Sequence, residues 1–153
     1  MTAIRLCVRR APLAEGEGPG TAVTVRLPSD VACIEEAVAL LTYHCTAGDA
    51  GRGRLRFRLQ IVLAEAIANA ILRGNREDSG KSVDVRALLL TEEVRLHVTD
   101  QGAGFDPRQV PETLAANHLE EPNGRGLFLM RHLADGIVFN PEGNSVCITL
   151  RRR

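Results

Sequence analysis

Apolar and polar positions alternate at the start of the chain, with Ile4, Leu6 and Val8 set against Arg5, Cys7 and Arg9, the period of a short strand or extended arm with one apolar face. Residues 11–20, rich in Gly, Pro and Glu, predict a mobile linker. Alternation returns at Val23, Val25 and Leu27 before Pro28, and Ser29 or Asp30 then stands where a helix cap belongs, which predicts a helix over 31–44. Breakers in 46–53 predict a loop, and 55–72 a second helix. Beyond a polar turn at 74–81, Val83, Val85, Ala87 and Leu89 and then Val94, Leu96 and Val98 alternate with polar neighbours across a tight connection at 91–93, an antiparallel hairpin. Residues 108–123 have no clear period, as lids and binding loops often do not. Leu127, Leu129, Met130 and Leu133 predict a last helix, and 137–139 and 146–150 two closing strands joined by a turn over 141–144.

The second helix carries the first chemical signal. From Leu59 to Leu72 only Gln60, Glu65 and Asn69 interrupt an apolar run, so the helix is buried on most sides. Glu65 and Asn69 are four apart and project from one face, with Arg73 extending the stripe. A carboxylate in such surroundings is costly unless it is paired, bound to a ligand or open to a cleft. The helix alone leaves two readings even: a structural ion pair with Arg58 or Arg73, and a functional carboxylate.

Two further features follow. Asp100 has the parity of the apolar face of its strand and precedes Gly102 and Gly104, a poor arrangement for packing and a good one for gripping a ligand, with a turn-capping Asp as the alternative. Asn123-Gly124-Arg125-Gly126 then opens the last helix, where backbone N–H groups and the helix dipole favour an anion, although a plain flexible entry to the helix would read the same.

Composition narrows the classes. The 153 residues suit one domain, and 44% hydrophobic with 25% charged residues is a globular composition. Nineteen basic residues balance nineteen acidic ones, and aromatic residues are only 3% with no Trp, so neither a phosphate-backbone footprint nor a base-stacking platform is present and no direct nucleic-acid partner is expected. No run reaches the roughly 18 apolar residues of a membrane helix, and no secretory signal is visible, so a cytoplasmic location away from membranes is expected. Cys7, Cys33, Cys45 and Cys147, without a CxxC pair, are expected as free, buried thiols, and His44 with Cys45 lacks zinc-ligand spacing. Neither glycine pair continues into a dinucleotide fingerprint, and no serine sits in a nucleophile elbow.

Glu65-x-x-x-Asn69 in Leu63-Ala64-Glu65-Ala66-Ile67-Ala68-Asn69-Ala70, then Asp100-Gln101-Gly102-Ala103-Gly104-Phe105-Asp106, then Gly124-Arg125-Gly126-Leu127-Phe128-Leu129-Met130 occur in the order of the N, G1 and G2 boxes of the GHKL ATPase superfamily, which residues 21–150 resemble. Gly-Phe-Asp and Gly-Arg-Gly-Leu-Phe-Leu look most like the stand-alone anti-sigma-factor serine kinases. The resemblance implies an α+β two-layer sandwich, the Bergerat fold, with a mixed, mainly antiparallel sheet carrying helices on one face. It divides the chain into a flexible arm at 1–20 and an ATPase domain at 21–153.

It also implies ATP and Mg2+ as cofactors. Asn69 would hold Mg2+, Asp100 the adenine amino group, and Gly102 and Gly104 would let the backbone close around the base. Gly124, Gly126 and neighbouring Leu127 would meet the phosphates, Arg73 would add a phosphate contact, and Arg125 would neutralise charge developing during transfer. Glu65 would be the general base for a serine hydroxyl. The implied partners are a sigma factor and an anti-anti-sigma (STAS-domain) protein, with a homodimer as the common assembly. Two departures stand out: Arg73 replaces a frequent His, and Gly143-Asn144 replaces a Gly-Thr pair. A module that binds ATP and sequesters a protein partner without phosphotransfer is the alternative from another class.

Overall fold

The computed structural model describes residues 6–48, 53–104 and 122–152, with side chains in the last segment from Gly126 onward. Six strands form one sheet: β1 (Val8–Pro12), β2 (Thr21–Pro28), β3 (Ser82–Leu89), β4 (Glu93–Thr99), β5 (Gly136–Phe139) and β6 (Ser145–Arg151), in the order β1-β2-β3-β4-β6-β5. Among the described residues three α-helices, α1 (Ile34–Thr46), α2 (Gly53–Asn69) and α3 (Pro122–Leu133), make the second layer. Every neighbouring strand pair among the described residues is antiparallel, so the mixed component implied by the resemblance is not found there, while the α+β architecture is.

Register explains why one face takes the helices. Val25, Val85, Val98 and Val146 form one row across β2, β3, β4 and β6, and Val23, Ala87, Leu96 and Ile148 form the next. All are buried, and Leu59, Val62, Leu63 and Ile67 of α2 pack onto them in a single core. Burying each such aliphatic side chain contributes about 1.5–3 kcal/mol, which makes the apolar run of α2 the centre of the helical layer. The opposite face carries the alternating polar residues, including Arg26, Asp84, Arg86, Arg95 and His97.

Of the two readings of the N-terminal segment, strand or extended arm, a strand is found. β1 pairs with β2 from Val8↔Val25 to Pro12↔Thr21, and Leu13 N–H donates to the Gly20 carbonyl to close the connecting loop. Glu17 of that loop accepts two hydrogen bonds from Arg86, at 2.9 and 3.0 Å. The Gly/Pro-rich composition marked the turn correctly, but the strand falls four residues later than the alternation at Ile4 to Val8 suggested; residues 1–5 lie outside the described residues.

The last helix also begins earlier than expected. Pro122 opens α3, a position where its fixed φ is already helical and its missing N–H costs nothing, so Gly124 and Gly126 lie inside the first turns rather than ahead of them. The second helix does not stop at Leu72 either: α2 widens into a π-turn over Ala70–Gly74, followed by Arg76 and Glu77 in left-handed conformation at φ 51° and 57°. Of the four thiols, expected to be buried, Cys33 and Cys45 are buried and Cys147 is half-buried, while Cys7, just ahead of the edge strand β1, is exposed. Burial pushes the Cys45 thiol up to about 12.

Candidate functional site

A cavity of about 850 Å3 opens between α2, the loop after β4, α3 and the β5–β6 turn. Ala66, Asn69, Ala70 and Arg73 line one wall, Val98 and Asp100 the floor, and Leu127 and Met130 the α3 side. The volume falls in the range of small-molecule and cofactor sites, and the mixture of apolar walls with a few polar groups is the usual composition of one.

Asp100 sits at the floor for a structural reason. It follows β4 with the parity of Val94, Leu96 and Val98, so the register that buries those residues turns its carboxylate into the helix–sheet space. Its backbone N–H donates to the Asn144 carbonyl at 2.9 Å, and one carboxylate oxygen accepts from Gly102 N–H at 2.8 Å. Burial pushes its pKa above the ordinary carboxylate value, with the Gly102 N–H and the Lys81 charge opposing. Among the described residues the other oxygen has no hydrogen-bond partner.

Both glycines allow close approach between backbones. A side chain on Gly102 would collide with the Gly74 carbonyl, and one on Gly104, at φ +80°, with the Glu142 carbonyl. Gly102 does not line the cavity; Gly104 does.

Glu65 and Asn69 face α3. A methyl group placed on Gly126 would stand 2.5 Å from Glu65 Oε2 and 3.8 Å from Asn69 Nδ2, so the buried Gly126 is what lets the two helices close at this point. Neither structural partner considered for Glu65 holds it. Arg58 instead reaches Asp135 at 3.3 Å and the carbonyls of Leu133 and Arg151, and Arg73 stays at the cavity wall. Among the described residues Glu65 and Asn69 make no hydrogen bond or ion pair with protein, the condition of groups available to a ligand.

Of the residues singled out from sequence, Asn69, Arg73, Asp100, Gly104 and Leu127 line the cavity. Glu65 and Gly126 meet each other beyond its edge. The side chain of Arg125 and the structural setting of Phe105 and Asp106 lie outside the described residues, as does most of the aperiodic segment before α3.

Sequence reasoning missed three contributors. Arg76 and Lys81 bring further cations to the lining, Arg76 through its left-handed backbone. Asn75, 1% exposed, joins three segments below the cavity. A polar residue directly after Gly74 reads as turn chemistry, and only the tertiary contacts distinguish it. Asn144, one of the departures from pattern, is accommodated by Asn140, whose amide donates to Asn144 Oδ1 at 2.6 Å and whose Oδ1 accepts from the N–H groups of Asn144 and Ser145. Among the described residues no cluster of His, Cys, Asp and Glu could hold a metal, and no helix is long and apolar enough to cross a membrane.

Comparison with known proteins agrees with this geometry. Residues 27–150 match the histidine kinase-like ATPase domain. The serine/threonine-protein kinase BtrW of Bordetella bronchiseptica is 31% identical over 98 residues, 63% of this chain and 69% of the relative. The matched span runs from the end of β2 through β6 and contains all three boxes and every lining residue of the cavity. The chain belongs to the histidine kinase-like ATPase domain family.

Proposed function

We propose that this chain is an ATP-dependent protein serine kinase that also binds and restrains a sigma factor, and that its phosphate acceptor is a serine of an anti-anti-sigma protein with a STAS domain. The observation that carries the catalytic half is the placement of Glu65: a carboxylate one turn from Asn69, without a protein partner among the described residues, just beyond the edge of a nucleotide-sized cavity and against α3.

ATP would lie with its adenine amino group on the second oxygen of Asp100, which has no partner among the described residues, and its phosphates toward Asn69. Arg73, Arg76 and Lys81 outnumber the carboxylates Asp78 and Asp100 in the lining, which suits a polyphosphate. Asn69 offers a neutral oxygen with no protein partner among the described residues, and Mg2+ takes one or two protein oxygens alongside phosphates and water, so the residues fit that ion. Bound there, Mg2+ would neutralise charge on the phosphate oxygens. Glu65 would accept the serine proton as the hydroxyl oxygen bonds to the γ-phosphorus and the bond from that phosphorus to the bridging oxygen breaks, releasing ADP. Phosphoryl transfer depends chiefly on position and charge, and a general base contributes about 10²–10⁴-fold. Arg125 is assigned to stabilise the transferring group by resemblance.

The test incubates the protein with Mg2+ and γ-labelled ATP, alone and with candidate anti-anti-sigma proteins from the same genome, beside Glu65→Ala. Label on a partner serine that disappears in the variant, with ATP binding kept, supports the kinase. Binding without transfer to any candidate supports the sequestering module instead, and transfer by Glu65→Ala removes the base role.

A further inference from the structure

The end of α2 and the loop after β4 are clasped together by one buried side chain. Asn75 is 1% exposed, and all its polar atoms are used. Its backbone N–H closes the π-turn on the Ala70 carbonyl at 2.8 Å. Its Nδ2 donates to Ser29 Oγ at 2.7 Å and to the Ser82 carbonyl at 2.9 Å. Its Oδ1 accepts from the N–H of Gln101, the residue after Asp100, at 2.7 Å. The two backbones touch on either side of that bond: Gly74 lies directly against the Asp100 carboxylate, and Gly102 against the Gly74 carbonyl.

We infer that Asn75 is the positioning residue for base recognition, acting through Gln101 to hold Asp100 where it discriminates adenine from guanine. The inference rests on reading the cavity as the ATP site. A carboxylate selects adenine because it accepts from an exocyclic amino group, whereas the guanine oxygen at the same ring position would repel it. That discrimination depends on where the carboxylate stands, since hydrogen bonds weaken steeply with distance and angle. Asp100 has little of its own to hold it: among the described residues its only protein hydrogen bonds are to Gly102 N–H and from its own N–H to Asn144. The Asn75–Gln101 bond restrains the peptide between them. Asn75 is therefore a coupling element as well, because it ties Asp100 to the same helix end that carries Asn69 and Arg73.

The side chain also makes structural contacts, so the experiment must separate the two roles. Competition binding with ATP and GTP measures the ratio of their affinities in wild type, Asn75→Ala, Asn75→Asp and Ser29→Ala. Asn75→Ala is expected to lower the ATP preference at least tenfold. Asn75→Asp keeps an Oδ acceptor for Gln101, and its added charge acts on both triphosphates alike, so the preference stays within about threefold of wild type. Ser29→Ala loses the bond on the other side of the clasp and stability with it, yet keeps the preference.

An unchanged preference in Asn75→Ala, or an equal loss in Asn75→Asp, overturns the inference. Should Asn75→Ala not fold, hydrogen exchange in the wild-type chain decides: the Gln101 amide is expected to be strongly protected without nucleotide, and free exchange there overturns it. Absence of ATP binding by the wild-type chain would overturn the reading of the cavity itself, a separate result.

Discussion

The Glu65 carboxylate lies against Gly126, with Oε2 2.5 Å from the position a methyl group on that glycine would take. This contact joins α2 to α3, and it requires hydrogen at the α-carbon. Gly126→Ala is expected to fold, since the obstructing atom ends a flexible side chain and alanine favours the helix by about 1 kcal/mol. The carboxylate must then rotate away, and phosphotransfer should fall at least tenfold with ATP affinity within a few-fold of wild type. Undiminished transfer would show that the position of Glu65 over Gly126 is immaterial.

Asp100 opposes stability with function. Burial raises its pKa, so the folded chain holds its proton more tightly than the unfolded one, and ionisation destabilises the fold as pH rises from the unfolded carboxylate value through the raised one. Asp100→Asn keeps an oxygen for Gly102 N–H and removes the buried charge. Its melting temperature at pH 7 should equal or exceed that of wild type, while ATP affinity falls at least tenfold. A lower melting temperature in calorimetry would contradict this account of the carboxylate.

Arg58 holds the framework rather than the site. Its side chain is 12% exposed and gathers Asp135 with the carbonyls of Leu133 and Arg151, while Asp135 also accepts from Arg151 N–H at 2.7 Å. Removing one member of a buried pair leaves the other uncompensated, so Arg58→Ala should lose about 2–4 kcal/mol in urea unfolding. A loss under about 1 kcal/mol would place this cluster among ordinary surface pairs.

His97 makes stability pH-dependent on the outer sheet face. Burial, with Arg86 and Arg95 nearby, lowers its pKa below the ordinary 6.5, and Glu17 opposes them. The unfolded chain therefore binds this proton first, and stability that is present above about 6.5 declines as pH falls through the unfolded value toward the lowered one. His97→Gln should flatten the dependence of melting temperature on pH between about 5.5 and 7. An unaltered slope would assign it to other groups.

Much of the site was legible because its signals are local. Glu65 and Asn69 share a helix face by spacing alone, and Asp100 takes its direction from strand parity. The π-turn was not legible, because nothing in Ala70-Ile71-Leu72-Arg73-Gly74 tells a widened last turn from an ordinary one. Nor was β1 in its true register: Arg9, Arg10 and Pro12 lack strong alternation, and pairing with β2 is what makes them a strand.

By itself the sequence determined α1–α3 and β2–β6 in type, the buried faces of β2–β4 and α2, and the three boxes, since periods of 2 and 3.6 and cap or breaker residues act over a few neighbours. Only the tertiary structure decided that Arg58 pairs with Asp135 instead of Glu65, that Gly126 makes room for Glu65, and that Asn75 holds the peptide after Asp100. Those contacts join residues 26 to 77 positions apart. They are selected by how the sheet and helices pack together, which no local pattern encodes.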